Sequence, residues 1–438
     1  MENDSRGSWT GHVGFILAAA GSAIGLGNIW MFPYRTGVNG GAAFVLVYLA
    51  AVALVGVPLL IAEVLVGRSA KRNPVGAFRV LRPGSKWPLV GWLGVASGFL
   101  ILSYYGVVAG WAVEYSWRSL TGGLADLDAA GVDKAFSALV ADGWRQVFWQ
   151  ALFMLATIVV VSRGIEAGIE RASKVMMPLL FALILVLLGY AITSPGAGQG
   201  LRFLLQPRFG ELGWGGVLQA LGQAFFSLSL GMGAMITYGS YLEPDKRIAR
   251  SAFLIAGMDT LLAVLAGLVI FPLVFSFGLE PGAGPGLIFI TLPKAFLMMP
   301  ASSVFASVFF VLVVFAALTS AISLLEVVVS FAVDEYGVGR GPASWAAGIA
   351  IFLLGVPSAV FSGFLDRVDG LASNWMLPVG GLFIALFAGW ALTRKEVADG
   401  YAGTAPASRG FGAWFACIRF VVPVAVGIIL LQNTGWFR

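Results

Sequence analysis

Eleven long apolar stretches run through this chain of 438 residues, at 12–36, 42–67, 89–122, 146–162, 174–193, 214–241, 249–278, 304–333, 343–361, 371–393 and 411–433. Hydrocarbon offers no partner to a bare N–H or C=O, so such a stretch must be a helix, and about 20 apolar residues span a bilayer. Charged residues make up only 11% of the chain, against about 25% in soluble domains, and the mean hydropathy is +0.89. An all-α integral membrane protein of eleven transmembrane helices follows. No linker is long enough to separate domains, so residues 1–438 form a single transmembrane domain. The longest irregular segments are 119–145, 194–213 and 279–303.

Several function classes drop out on composition. The lone Cys417 excludes an internal disulfide, and the lone His12 excludes a histidine metal cluster. No nucleophile–base constellation is visible, so the chain does not read as an enzyme. A net charge of +5 does not by itself point to nucleic acid. The opening "MENDSRGSW" carries acids and lacks the basic region of a cleaved signal peptide. The basic residues do set an orientation. Placing the N-terminus in the cytoplasm puts 17 of the 27 Lys and Arg there, and the loop Arg68–Lys86 holds six of them with no acid. An odd number of spans then leaves the C-terminus outside. The expected location is the inner (plasma) membrane.

Two of the spans contain helix breakers at mid-depth. The first includes "AAAGSAIGLGNIWMFPY", Ala18–Tyr34, and the sixth includes "FFSLSLGMGAMITYGSY", residues 225–241. Each has a Gly-x-Gly triplet, Gly25-Leu26-Gly27 and Gly231-Met232-Gly233. Ten spans thus divide into two sets of five, each opening on an interrupted helix. Five is odd, so the sets have inverted topology: repeat 1 about 9–193, repeat 2 about 214–393, and an extra helix about 411–433. Paired interruptions of this kind mark the site of a secondary transporter. Unwound backbone survives at membrane depth only in protein or beside a cavity. Freed N–H groups suit a carboxylate, and freed carbonyls suit a cation. An amino acid presents both groups. Asp259, about ten residues into "SAFLIAGMDTLLAVLAGLVIF", is a further functional candidate, because a carboxylate there needs a partner.

"GSAIGLGNIWMFPY", "NGGAAFVLVY", "SYY" at 103–105, "SLSLGMG" at 227–233 and "ALTSAISLLE" at 317–326 resemble the neurotransmitter:sodium symporter family, in its bacterial eleven-helix branch with the leucine-transporter fold. The resemblance implies a sodium-coupled importer of amino acids that works by alternating access. It places the substrate carboxylate on the amides of Leu26 and Gly27 and the hydroxyl of Tyr105. The ammonium group meets carbonyls of Ala23, Phe226, Ser227 and Ser229. Two sodium ions are implied: one on Ala23, Asn28, Ser227, Asp259 and the substrate carboxylate, the other on Gly21, Ile24, Ala316, Thr319 and Ser320. All are hard oxygen donors, as sodium requires. Glu63 braces the unwound first helix on the same resemblance, and Gln223 links the site to Asp369.

The implied side-chain pocket uses Ile101, Tyr105, Phe226, Ser229, Met232, Ser320 and Leu324. It is neutral and apolar, and Met232 is a flexible wall. Aliphatic and aromatic L-amino acids such as leucine and tryptophan are the expected substrates. Arg6 and Trp9 would close the inner gate onto Ser240, Tyr241 and Asp334. The outer gate of the family pairs an Arg in "NIWRFP" with an acid on the tenth helix. Here Asp369 fits the acid, but Met31 replaces the Arg. Ala263, one turn after Asp259, cannot coordinate an anion, so Asp259 stands in for chloride and transport is expected to be chloride-independent, with H+ counter-transport on the return step. The alternative reading is a substrate-gated sensor or receptor built on the same fold.

Overall fold

The computed structural model describes residues 7–124, 126–279, 286–402 and 410–434. Among these, nine continuous helices are long and apolar enough to cross a membrane: Ala42–Ala70, Pro88–Leu120, Gly143–Ser162, Ile165–Ala191, Ile248–Ser276, Ser302–Tyr336, Arg340–Val360, Phe364–Ala391 and Phe411–Asn433. The pair His12–Ala23 and Gly27–Val38, bent by 53°, makes a tenth. The broken pair Phe209–Ser227 and Ala234–Ser240 occupies the sixth place in chain order. No strand occurs among the described residues.

Two spans begin well before the apolar pattern suggests. The fifth starts at Ile165 rather than 174, and the tenth at Phe364 rather than 371. Both early turns carry charge (Glu166, Glu170 and Arg171 in one; Asp366, Arg367 and Asp369 in the other), which hides a helix from a hydropathy reading. The segments expected to be irregular also hold short helices, Ala129–Ala141, Ala197–Leu205 and Leu292–Leu297.

Four spans and the short apolar helix Leu287–Leu297 each contain a π-helical turn followed two residues later by proline. The turns Gly27–Met31, Val52–Gly56, Leu287–Thr291, Ala372–Met376 and Cys417–Val421 precede Pro33, Pro58, Pro293, Pro378 and Pro423. Proline has no N–H and collides with the carbonyl four residues back. The wider turn relieves that collision and leaves the carbonyl free. Three of these freed carbonyls are taken by a neighbouring span. Cys417 Sγ donates to Leu54 O at 3.0 Å, Trp390 Nε1 to Arg419 O at 3.0 Å, and Asn433 Nδ2 to Asn374 O. The second, tenth and eleventh spans are thereby tied together where each is locally loosened.

At the centre, the eighth span packs along the third, and the inner half of the sixth packs against the second. The first span lies against the seventh and eighth. Both broken helices are therefore enclosed by unbroken ones, which is what unwound backbone at this depth requires.

Candidate substrate and cation site

The first span stops being helical at Ile24, whose ψ is 105°, and resumes after Leu26. The sixth unwinds from Leu228 to Gly233, with positive φ at Ser229 (53°), Gly231 (82°) and Gly233 (78°). A left-handed conformation is costless for glycine and strained for serine. Ser229 is held in it by its own hydroxyl, which donates to Ser22 O at 2.8 Å. Ser229 thus stitches the two breaks together.

The breaks enclose a small cavity of about 30 Å³ lined by Ser22, Ala23, Gly25, Leu26, Gly27, Asn28, Ile101, Tyr105, Phe226, Ser227, Ser229, Met232, Ser320 and Leu324. The structure thus brings together all eleven residues expected to line a substrate pocket, and adds Ser22, Gly25 and Asn28. The amide of Leu26 donates to Tyr105 Oη at 3.4 Å. One wall is apolar, formed by Ile101, Met232 and Leu324; the other presents backbone.

On one side of the cavity, carbonyls of the first span converge on the eighth. Ser320 Oγ lies 3.1 Å from Ser22 O, 3.2 Å from Ile24 O and 3.5 Å from Gly21 O. Thr319 Oγ1 lies 3.5 Å from Ile24 O and 3.0 Å from Ala316 O. Gly21, Ile24, Ala316, Thr319 and Ser320 therefore form one knot of neutral oxygens. This is a donor set suited to a hard monovalent cation.

On the other side stands Asp259, fully buried. Its carboxylate accepts from Asn28 Nδ2 at 2.7 Å, Ser227 Oγ at 2.6 Å and Tyr48 Oη at 3.3 Å. Asn28 Oδ1 accepts from Gly25 N at 3.0 Å, which spans the first break. Asn28, Ser227 and Asp259 are thus together as expected, while Ala23 lines the cavity beside them. Tyr48 is not among the expected residues. An aromatic in an apolar span looks like packing, and only its placement against the seventh span reveals the hydroxyl's role.

Glu63 departs from expectation. Its Oε1 accepts from Gly231 N at 2.7 Å, and Oε2 has no partner among the described residues. It braces the sixth-span break, not the first. The reason is local: positive φ at Gly231 turns that N–H out of the helix toward the second span.

The outer side also differs. Asp369 accepts from Tyr104 Oη and Ser373 Oγ, each at 2.8 Å. Among the described residues, no hydrogen bond joins Gln223 to it. Gln223 donates to Gly27 O at 3.2 Å and accepts from Arg35 Nη1 at 2.9 Å. Arg35, one helical turn beyond Met31, faces the outer vestibule with Asp369. That vestibule has a volume of about 450 Å³ and is bordered by Met31, Gln219, Phe225 and Phe226 as well. Phe226 lines both vestibule and inner cavity, so its ring is the partition between them.

On the inner side, Trp9 Nε1 donates to Tyr238 O at 3.1 Å and its ring packs edge-on against Tyr238 and Tyr241. Tyr241 Oη donates to Glu326 Oε1 at 2.6 Å, and Glu326 pairs with Arg340. Ser240 Oγ donates to Thr237 O at 2.7 Å. Asp334 accepts from Asn73 N at 2.7 Å. Arg6 lies outside the described residues. Glu326 and Arg340 go beyond the expected gate, although a charge inside "ALTSAISLLE" is the same signal that marks Asp259.

Two broken helices five spans apart, facing each other across a small cavity with cation-grade oxygens on both flanks, define a secondary transporter of the inverted-repeat class. Residues 6–130 and 142–437 match the profile of the sodium:neurotransmitter symporter family. A protein of Bacillus subtilis (strain 168) named as the uncharacterised sodium-dependent transporter YhdH is 42% identical, with 99% of each chain covered. The sodium- and chloride-dependent glycine transporter 2 of Xenopus laevis is 26% identical over 98% of this chain and 64% of its own. The crystal structure of MhsT in complex with L-phenylalanine superposes with a TM-score of 0.91 at 45% identity, covering 98% of this chain and all of that one. The chain belongs to the sodium:neurotransmitter symporter family. It is a sodium-dependent membrane symporter with the leucine-transporter fold, and not an enzyme.

Proposed function

We propose that this protein imports hydrophobic L-amino acids, aliphatic and aromatic, with two sodium ions, and that it does so without chloride. The observation that carries the substrate class is the cavity itself. In this reading the Leu26 and Gly27 amides and the Tyr105 hydroxyl would receive the carboxylate and carbonyls of the two breaks the ammonium, while Ile101, Met232 and Leu324 line the cavity without a charge. The likeness to a structure holding L-phenylalanine supports the same class.

In this reading one sodium is held by Ala23, Asn28, Ser227, Asp259 and the substrate carboxylate, and the second by Gly21, Ile24, Ala316, Thr319 and Ser320. Shared coordination makes each ligand raise the other's affinity reciprocally. At 100 mV one inward charge supplies about 2.3 kcal/mol, or roughly 50-fold accumulation. The fixed charge of Asp259 balances the adjacent sodium, and Ala263, fully buried beside it on the next turn, offers nothing to an anion. After sodium leaves inward, that carboxylate remains enclosed by Asn28, Ser227 and Tyr48, and a proton neutralises it for the return. The N-terminus is cytoplasmic in the plasma membrane and the C-terminus is outside.

The cavity of about 30 Å³ must enlarge for an amino acid, and its movable walls are Met232 and the half-buried Phe226. The test is a thermal-shift panel of the twenty amino acids in sodium and in potassium. Stabilisation by leucine, phenylalanine or tryptophan in sodium alone is the expected result. Stabilisation only by charged or very small amino acids contradicts the substrate class.

A further inference from the structure

Arg419 lies eight residues beyond the start of the eleventh span, Phe411–Asn433, and takes no part in the site above. Its guanidinium carbon is 4.1 Å from the centre of the Trp390 ring, 5.6 Å from Phe420 and 5.9 Å from Phe415. Among the described residues it has no acidic partner, and its buried Nε–H has no acceptor. The placement is built rather than incidental. Gly389 lets the helices touch, since a Cβ there would come within 2.9 Å of Arg419 Cα. The Trp390 indole also fixes the Arg419 carbonyl, at 3.0 Å. An arginine in a membrane span needs an anion or a polar surface, and the described residues supply neither.

The depth fits a lipid headgroup. Trp390 is the next-to-last residue of the tenth span, Phe364–Ala391, the level at which aromatic side chains meet the interface. The chain continues into Arg394 and Lys395, both exposed. The acid that follows, Glu396, is already paired with Arg82 at 2.6 Å. Along the same span runs an apolar groove of about 410 Å³, walled by Trp87, Leu89, Val90, Val379 and Phe383, with Lys86 at one end. From Trp390 back to Val379 is eleven residues, about 16 Å of helix, close to the depth of one leaflet.

We propose that this end of the tenth span binds one anionic phospholipid, its phosphate held by the Arg419 guanidinium over Trp390 and an acyl chain lying in the groove beside Lys86. Guanidinium meets a phosphate through two parallel hydrogen bonds. The leaflet is the one that the proposed orientation makes cytoplasmic, whose anionic surface attracts such residues.

The test uses the full chain, delipidated in detergent, with lipid binding followed by native mass spectrometry and thermal stability. The probes are phosphatidylglycerol, diacylglycerol with the same chains, and inorganic phosphate. Phosphatidylglycerol is expected to bind at least tenfold more tightly than diacylglycerol, and inorganic phosphate alone to give no stabilisation. Arg419→Gln is expected to cut phosphatidylglycerol affinity about tenfold, and Arg250→Gln, an exposed arginine elsewhere, to leave it unchanged. Equal binding of diacylglycerol and phosphatidylglycerol to the unmutated protein overturns the proposal, whether or not the variant folds. So does an equal loss in Arg250→Gln, or full stabilisation by inorganic phosphate.

Discussion

Arg35 donates to the side-chain oxygen of Gln223 at 2.9 Å, while the amide nitrogen of Gln223 reaches back to the carbonyl of Gly27 at 3.2 Å. One glutamine therefore connects the outer vestibule to the break in the first span. Arginine is absent at position 31, but the next turn of the same helix face provides one. In the proposed reading, the outer closure runs through Arg35, Gln223 and the Phe226 partition.

Arg35→Ala and Gln223→Ala should each weaken substrate retention about tenfold, near 1.4 kcal/mol, and the double variant should lose little more than either single. Scintillation proximity binding with a dissociation chase measures this. Fully additive losses contradict a shared link. Met31→Arg should fold and still bind, because its side chain would enter a vestibule already bordered by Asp369.

Asp259→Asn removes the fixed charge beside the first sodium and should reduce uptake at least a hundredfold. Asp259→Asn with Ala263→Ser should recover part of it only when chloride is present. Uptake in chloride and in gluconate separates the cases. If unmutated protein loses uptake in gluconate, an anion site exists elsewhere and the carboxylate does not replace it.

Met232→Phe fills the cavity with a rigid ring where a flexible thioether stood. Tryptophan affinity should fall at least tenfold and leucine affinity by less than threefold. Parallel losses for both would show that Met232 does not set the size limit.

Glu396 sits outside the membrane spans, and the hydrogen bonds from Arg82, followed by those from Thr393, hold its carboxyl down at about 2 against the ordinary 4.5. A depressed carboxyl contributes stability that is complete above pH 4.5 and is lost as pH falls toward 2. Glu396 is 48% exposed and Arg82 25%, so solvent screening keeps the contribution below about 1 kcal/mol. Glu396→Gln should therefore lower the melting temperature slightly at pH 7 and much less at pH 2, where about half of the carboxyl is protonated. An equal effect at both pH values would mean that the ion pair is not its origin.

The breaks are legible in the residues because close helix packing alone does not call for paired glycines beside Asn28 and Ser227 at membrane depth. Asp259 is legible because a lone acid in hydrocarbon demands a partner. The network around them is less so. Arg35 is within reach of a sequence reading through its four-residue spacing from Met31. Tyr48 is not, because its meaning depends on which face of the second span meets the seventh. Glu63 reads as a brace, yet which break it serves depends on the φ of Gly231, a backbone detail no residue type specifies. The fifth and tenth spans read too short because charged first turns, satisfied by neighbours such as Lys174 and Tyr104, look like loop until those neighbours are known.

The central claim is that sodium and a hydrophobic amino acid cross the membrane together through the two broken helices. It is tested most directly by uptake of radiolabelled L-phenylalanine into proteoliposomes holding the purified protein. With an inward sodium gradient the label should accumulate above its external concentration, collapse when the gradient is dissipated, and fail to accumulate when potassium replaces sodium. Equal accumulation without sodium, or sodium-dependent binding with no accumulation under any gradient, would contradict the account.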